Sequence, residues 1–212
     1  ADGRRVLLPK GVDVEVIDGQ PPIPRARLGV PHNAILIGTL SNHLDKRLSP
    51  EYLGLIAKIM KKHPHVWFVP IGSGPLADKI DLFKCHGLDA RVRFAGRHLM
   101  PAPVLKTLDI YASEFPVGGS QSVMEAMACG LPVVAMKWSN AHAESVAAEL
   151  VGETHALPDR DLKAYAARLE ALIESPTMRK DVGQSMRMRA HRRFDAATSI
   201  QQVMQTCLEQ LR

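Results

Sequence analysis

Short apolar runs alternate with amphipathic segments over the first two thirds of the chain. The runs predicted to be strands span residues 34–38, 65–71, 91–95, 109–112 and 131–136. Between them, helical periodicity predicts helices at residues 50–62, 76–86, near 104 and at 120–129. The last strand is apolar throughout, as expected when both of its faces are buried. This alternation predicts an α/β fold, a Rossmann-like parallel sheet flanked by helices.

The two ends of the chain depart from this alternation. Beyond Leu157-Pro158, amphipathic patterns predict three helices, at residues 159–174, 176–193 and 196–211. Near the start, four prolines within residues 21–31 favour irregular structure. We therefore predict an irregular lead-in from an interdomain region at 1–33, followed by one domain at 34–212 that includes a helical C-terminal tail.

Composition narrows the classes of function. The chain has 212 residues, 46% of them hydrophobic, and contains no apolar run of about 18 residues that would span a membrane. Its start has no apolar signal core, and its three cysteines are widely spaced, so we expect a reducing cytoplasm and no metal site. The net charge of +5 favours an anionic partner. Much of that charge lies in residues 178–193, which indicates a solvated helix face or a contact with a membrane surface. With only 5% aromatic residues for stacking, no nucleic acid partner is expected.

The most informative stretch is residues 114–135, a predicted strand end followed by a Gly-rich loop, a helix and a buried strand. Gly118 and Gly119 allow the backbone to approach a ligand and to adopt positive φ. Ser120 and Ser122 can cap the helix and contribute hydroxyl groups. A helix N-terminus offers unpaired amides and a partial positive charge, so the loop predicts a phosphate site.

Glu125 falls one turn into that helix, where its carboxylate can accept the two hydroxyl groups of a ribose. The whole run Glu125-Ala-Met-Ala-Cys-Gly-Leu-Pro-Val-Val-Ala135 resembles the donor-site signature of GT-B glycosyltransferases, in particular group 1. The resemblance implies a C-terminal, donor-binding domain that holds a nucleotide-sugar.

Further motifs extend the resemblance over nearly the whole chain. They are Pro9-Lys-Gly-Val-Asp13, Gly72-Ser-Gly-Pro75, Val92-Arg-Phe-Ala-Gly96 and Phe194-Asp195. The family pattern implies that the loop after this strand abuts the nucleobase, so Gly96, Arg97 and His98 are candidates to flank it, with solvated positions as the default for Arg97 and His98. The resemblance also implies an N-terminal acceptor domain in the full protein, because the motifs match only the C-terminal half of such enzymes.

The segment Asn42-His-Leu-Asp-Lys46 resembles that of O-GlcNAc transferases, in which the lysine stabilises the departing diphosphate. We therefore predict a catalytic role for Lys46. Arg47 is a second cation, which either binds the diphosphate or is a solvated loop charge. Phe115-Pro116 and the glycines that follow also resemble the loop of those inverting enzymes.

Two departures from retaining members of the family leave the stereochemistry open. No arginine follows Gly38, and Val117 stands eight positions before Glu125, where those enzymes have a glutamate. Glu114 is close to that position but out of register, so it receives no role from the resemblance.

The implied function is transfer of a hexose from a nucleotide-sugar, with UDP favoured by the family, to an unknown acceptor, without metal or other cofactor. The protein's task is then electrostatic stabilisation of the leaving diphosphate. Three alternatives remain: a GT-B enzyme of another reaction such as an epimerase, a catalytically degenerate scaffold, and a module that binds polyanions.

Overall fold

The computed structural model describes residues 10–139 and 146–210. Within them, four strands form a parallel sheet in the order β2-β1-β3-β4. The strands are β1 (Ile35–Ser41), β2 (Val66–Gly72), β3 (Ile110–Ala112) and β4 (Val133–Val134). The predicted α/β, Rossmann-like fold is confirmed.

Helices cover both faces of the sheet and form the C-terminal region. They are α1 (Val14–Gly19), α2 (Leu44–Arg47), α3 (Pro50–Lys62), α4 (Ala77–Lys84), α5 (Ala102–Leu105), α6 (Gln121–Ala128), α7 (Ala147–Val151), α8 (Leu162–Glu174), α9 (Pro176–Arg193) and α10 (Ala196–Gln210). The short helices α1, α2 and α7 were not predicted, because each offers too few turns for a clear apolar period. In the part of the chain that the structure describes, no helix is long and apolar enough to cross a bilayer.

The predicted third strand, residues 91–95, is wrong as a full strand. A 3-10 turn at Asp89–Arg91 precedes an extended segment, which makes one isolated bridge, between Val92 and Phe68 of β2. Hydrogen bonds reach the carbonyls of Phe68 and Pro70 at this edge of β2. Pro70 has no N–H group to donate in return, which interrupts the ladder.

The lead-in is more ordered than its prolines predict, and the expectation of an irregular segment is wrong for residues 13–19. The Asp13 side chain accepts a hydrogen bond from the Val16 amide at 2.9 Å and caps α1. Val14 and Ile17, one turn apart, are buried in the core. They lie on one face of α1, and burying that face outweighs the turn signals that follow it. The division at residue 33 stays a prediction.

Two apolar clusters fill the space between the sheet and its helices, one on each face. Leu36 belongs to one cluster and its neighbour Ile37 to the other, because successive residues of a strand point to opposite faces. Burial on both faces explains the uninterrupted apolar strands in the sequence.

Candidate functional site

The direction in which the chain winds across the sheet reverses between β1 and β3. After β1 the chain crosses to β2 on one side, and after β3 it crosses to β4 on the other. The first loop (residues 42–49) and the second loop (residues 113–120) therefore diverge where these two strands end. In open α/β sheets, ligands bind in the crevice that such a reversal creates.

The turn that follows β2 holds the first loop in place through a backbone hydrogen bond. The Leu44 amide donates a hydrogen bond to the Ser73 carbonyl at 2.9 Å. Gly72 adopts φ +138°, and a Cβ atom there would overlap the Ser41 carbonyl oxygen. Only glycine fits this close approach. The Gly-x-Gly-Pro motif thus supports the first loop.

Side chains of the first loop hold the second loop in place. The Arg47 guanidinium donates hydrogen bonds to the carbonyls of Val117 at 2.7 Å and Gly118 at 2.9 Å. The Ser49 hydroxyl donates to the Phe115 carbonyl at 2.8 Å. Arg47 is neither a free cation nor a solvated one in this structure, since it ties the two loops together.

The second loop leads into α6, whose first residues line the crevice. The Ser120 hydroxyl makes no capping hydrogen bond, so the predicted side-chain cap is wrong. Gly119 does not adopt positive φ, and a Cβ atom there would displace the Ser122 hydroxyl. Without a side chain, the glycine leaves its backbone open to the cavity. An uncapped helix start attracts anions.

A cavity of about 350 Å³ occupies this crevice. The predicted site residues that line it are Arg47, Gly119, Ser120, Ser122 and Glu125. They join two loops that are about 70 residues apart in the chain. The structure therefore brings most of the predicted residues of the Gly-rich stretch to one place.

Lys46 and Gly118 do not line the cavity. Lys46 is exposed on α2, and it makes no side-chain hydrogen bond or ion pair with any residue that the structure describes. Gly118 is buried and contributes its carbonyl to Arg47. The role assigned to each of them stays a prediction.

Of the three candidates in the loop after the extended segment, the structure places one, His98, in the cavity. The Gly96 carbonyl accepts a hydrogen bond from the Gly72 amide at 2.8 Å, and Arg97 is exposed outside the cavity. His98 lines the cavity instead, with its Nε2 atom 2.9 Å from the Ala95 carbonyl oxygen.

Other lining residues were missed or weighed only weakly by sequence reasoning. Asn42 and His43 follow β1 directly, and that position alone marks them as crevice residues once β1 is known to be central. Gln121 lies one turn before Glu125 on the same face of α6, a spacing that the sequence already contained.

A second cavity, of about 210 Å³, continues from the first. The two share Leu99, Pro101, Gln121 and Glu125 as lining residues. The second is bordered by the exposed side chains of Val16 and Met100, so its surface is more apolar. A larger cavity, of about 700 Å³ beside α7 and α9, contains none of the predicted site residues and lies away from the strand reversal.

Two carboxyl groups, one lining the crevice and one beneath its second loop, have raised pKa values. Burial raises the pKa of Glu125, and the neighbouring Gln121 side chain opposes that rise. Glu114, beneath the second loop, is 1% exposed, and burial raises its pKa from 4.5 to about 7. Neither Glu114 carboxyl oxygen makes a hydrogen bond with the described residues. Sequence reasoning gave Glu114 no role because it is out of register with the family's glutamate, and its burial, which follows from tertiary packing, was not foreseen.

Comparison with solved structures identifies the same fold in glycosyltransferases. HepE from Anabaena, solved with UDP and with UDP-glucose, aligns with a TM-score of 0.73 at 22% identity over 94% of this chain and 56% of its own. Sucrose-phosphate synthase from Thermosynechococcus elongatus aligns with a TM-score of 0.72 at 22% identity, over 99% of this chain and 53% of its own. A glycosyltransferase from Rickettsia africae aligns with a TM-score of 0.74 at 14% identity, over 98% of this chain and 57% of its own.

The chain thus spans about half the length of these three structures. No curated protein sequence matches it. Residues 32–175 match the model of the family described as glycosyl transferases group 1. That match covers more than half of the chain, as the resemblance at residues 125–135 implied. The chain belongs to the glycosyl transferases group 1 family.

Proposed function

We propose that this chain is the donor-binding domain of a hexosyltransferase, which holds a nucleotide-sugar, best a UDP-sugar, by its diphosphate. The observation that carries this proposal is the cavity at the strand reversal. It is bounded by the glycine of the second loop, by the uncapped start of α6 and by Glu125. The glycine supplies backbone that a ligand can approach, the helix start supplies N–H groups, and the Glu125 carboxylate accepts hydrogen bonds from ligand hydroxyl groups.

The diphosphate lies at the start of α6 in this proposal. The backbone of Gly119 and Ser120 faces the cavity, and the partial positive charge of the helix N-terminus favours an anion there. Arg47 adds positive charge on the opposite wall while it holds the second loop. That the site requires no metal ion stays a prediction.

The nucleoside lies further along α6. Glu125 is four residues beyond Gln121, which corresponds to about 6 Å along the helix axis. Its carboxylate accepts the hydroxyl groups of the ribose, and the base extends over the apolar surface of the second cavity, beside Leu99 and Pro101. That the solved HepE structures contain UDP and UDP-glucose supports a uridine nucleotide.

Transfer breaks the bond between the anomeric carbon and the β-phosphate oxygen, and forms a bond between that carbon and an acceptor oxygen. Negative charge grows on the leaving diphosphate, where the amides of the second loop stabilise it. We assign to Lys46 the task of bringing a further positive charge to that oxygen. Its exposed, unpaired side chain is free to move into the crevice.

We further propose that an acceptor-binding domain completes the active site. This chain spans only 53 to 57% of the three solved structures described above, which supports a contribution from outside residues 1–212. The acceptor, and any base that takes the acceptor's proton, belong to that domain. Peripheral membrane contact and a cytoplasmic location stay predictions.

Isothermal titration of the chain with UDP, GDP and ADP tests the donor proposal. We expect saturable binding of UDP in preference to the other two. Binding of polyanions that falls steeply with salt and is indifferent to UDP would favour a polyanion-binding module. Absence of binding by all three nucleotides would favour a degenerate scaffold.

A further inference from the structure

Glu114 is the first charged residue of the second loop, yet its side chain is turned into the protein. The residue is 1% exposed, and both carboxyl oxygens lack hydrogen bonds from described residues. Water does not solvate a group at this depth, and an ionised carboxylate without partners is strongly disfavoured there. The surroundings therefore favour the neutral acid.

The charged, titratable and polar groups that act electrostatically on this carboxyl group come from several elements. They are the Thr39 hydroxyl of β1, the Arg47 guanidinium of α2, the Gly119 amide of the second loop, and the phenol groups of Tyr52, Tyr111 and Tyr165. All three phenols already have hydrogen bonds: Tyr52 donates to the Ala112 carbonyl at 2.9 Å, Tyr165 donates to the Ser113 carbonyl at 2.8 Å, and Tyr111 accepts from the Leu40 amide at 3.3 Å.

Arg47 is the cation of this set, and its guanidinium already donates to the carbonyls of Val117 and Gly118. Arg47 and Gly119 also line the crevice cavity. Two of the groups that act on Glu114 therefore belong to residues that line the cavity. An ionised Glu114 would draw on the same positive charge that a diphosphate in the cavity needs.

We propose that Glu114 is a positioning residue that must be protonated for the second loop to accept a diphosphate, so that the chain takes up a proton when it binds its nucleotide ligand. This inference rests on the proposed function, and it adds a pH dependence to that site. In the neutral form, Glu114 leaves the Gly119 amide and Arg47 to the ligand and keeps the loop packed.

The position of Glu114 on the pH scale makes the coupling observable near neutrality. Burial raises its pKa to about 7, while Thr39, Arg47 and the Gly119 amide act in the opposite direction. A diphosphate beside it raises the pKa further. We therefore expect uptake of about half a proton on binding at pH 7, rising towards one proton at pH 8.

Titration calorimetry with UDP-glucose, in buffers of different ionisation enthalpy, measures this uptake on the full 212-residue chain. UDP-glucose is the suitable probe because both of its phosphates are esterified, whereas the terminal phosphate of UDP titrates near pH 6 by analogy with phosphate monoesters. For the wild type, we expect the affinity to fall by about tenfold between pH 7.5 and pH 8.5. For Glu114→Gln, we expect no uptake and a constant affinity.

His43 and His98 line the same cavity, so His43→Gln and His98→Gln are the matched controls. Both should keep the proton uptake. If uptake persists in Glu114→Gln and disappears in a histidine variant, the proposal is overturned. Should the glutamine variant not fold, zero uptake by the wild type from pH 6 to pH 9 would contradict the proposal by itself. Failure of the wild type to bind UDP-glucose at any pH would overturn the proposed function, and this inference with it.

Discussion

Helix α9 and the crevice between the two loops both have features that attract anions, but the features differ in kind. In α9 they are basic side chains, several of which hold the fold together. Arg179 donates to the Leu172 carbonyl at 2.6 Å, at the end of α8. Arg189 donates to the Leu150 carbonyl at 2.6 Å, near the end of α7. Two of the arginines that stand out in the sequence are therefore committed to helix ends.

In the crevice, the groups that attract anions belong to the backbone. Its cation Arg47 is also committed to carbonyls, but the start of α6 has no side-chain cap. An uncapped helix start offers several amides in a fixed geometry, which suits a diphosphate better than flexible side chains do. If the proposed site is correct, clustered lysines and arginines are a poor guide to where this protein binds an anion.

The largest expected effect comes from a side chain that blocks access of the ligand to the backbone at Gly119. In Gly119→Val, the new side chain would overlap the Ser122 hydroxyl and cover the amides of the second loop. We expect UDP affinity to fall at least about 100-fold, measured by calorimetry. Gly54→Val on α3 is the control, because a Cβ atom there meets nothing within 4 Å. Equal losses of UDP affinity in both variants would show that the crevice is not the nucleotide site.

A second large effect concerns stability and pH. The pKa of Glu114 is raised to about 7 in the folded chain, so its stabilising contribution is fully present below about pH 4.5 and is lost as the pH rises through 7. Relative to wild type, Glu114→Gln should therefore gain about 2 kcal/mol in free energy of unfolding between pH 5 and pH 8.5. Urea denaturation at both pH values measures this difference.

The exposed Glu51→Gln variant on α3 is the matched control for that experiment. It should track the wild type at both pH values, since its side chain is exposed in the folded chain. A difference between Glu114→Gln and wild type that does not change with pH would show that the buried carboxyl group does not titrate near neutrality.

The third effect compares the loss of a positive charge beside the crevice with the loss of one on α9. Lys46→Ala should weaken UDP-glucose affinity about tenfold, because the crevice loses its mobile cation. Arg192→Ala, an exposed position on α9, should change that affinity by less than about twofold. Calorimetry under matched salt conditions compares them. Equal losses would mean that net charge, and not the site, governs binding.

The smallest effect tests whether the α9 cations are structural. Arg179→Ala removes two hydrogen bonds to the last turn of α8, so we expect the free energy of unfolding to fall by about 1 kcal/mol. UDP affinity should stay unchanged. Arg192→Ala should alter neither quantity. A loss of nucleotide affinity in Arg179→Ala without a loss of stability would return α9 to consideration as a binding surface.

Sequence reasoning succeeded where the signal is local. The helix predicted at residues 50–62 is α3, and the Ser49 hydroxyl just before it accepts a hydrogen bond from the Tyr52 amide at 3.1 Å. The helix predicted at residues 120–129 is α6, and Gly130 adopts φ +77° just beyond it. These features depend on a few neighbouring residues and on hydrogen bonds within one turn.

Reasoning from the sequence did not reach contacts that join distant parts of the chain. Arg47 was weighed as a ligand cation or a solvated charge, and its hydrogen bonds to carbonyls about 70 residues away were not foreseen. Nor could the sequence tell that His98 lines the cavity while its neighbour Arg97 does not. The direction of a side chain depends on packing around it, which no spacing along the chain records.

The sequence by itself determined the alternation of strands and helices, and the Gly-rich stretch that leads into α6. Those follow from periodicity and from local backbone preferences. Only the tertiary structure decided that Glu114 is buried and that the first loop holds the second. Burial and hydrogen-bond partners arise when the sheet brings β1 and β3 side by side, because that pairing sets which groups lose water and which remain exposed.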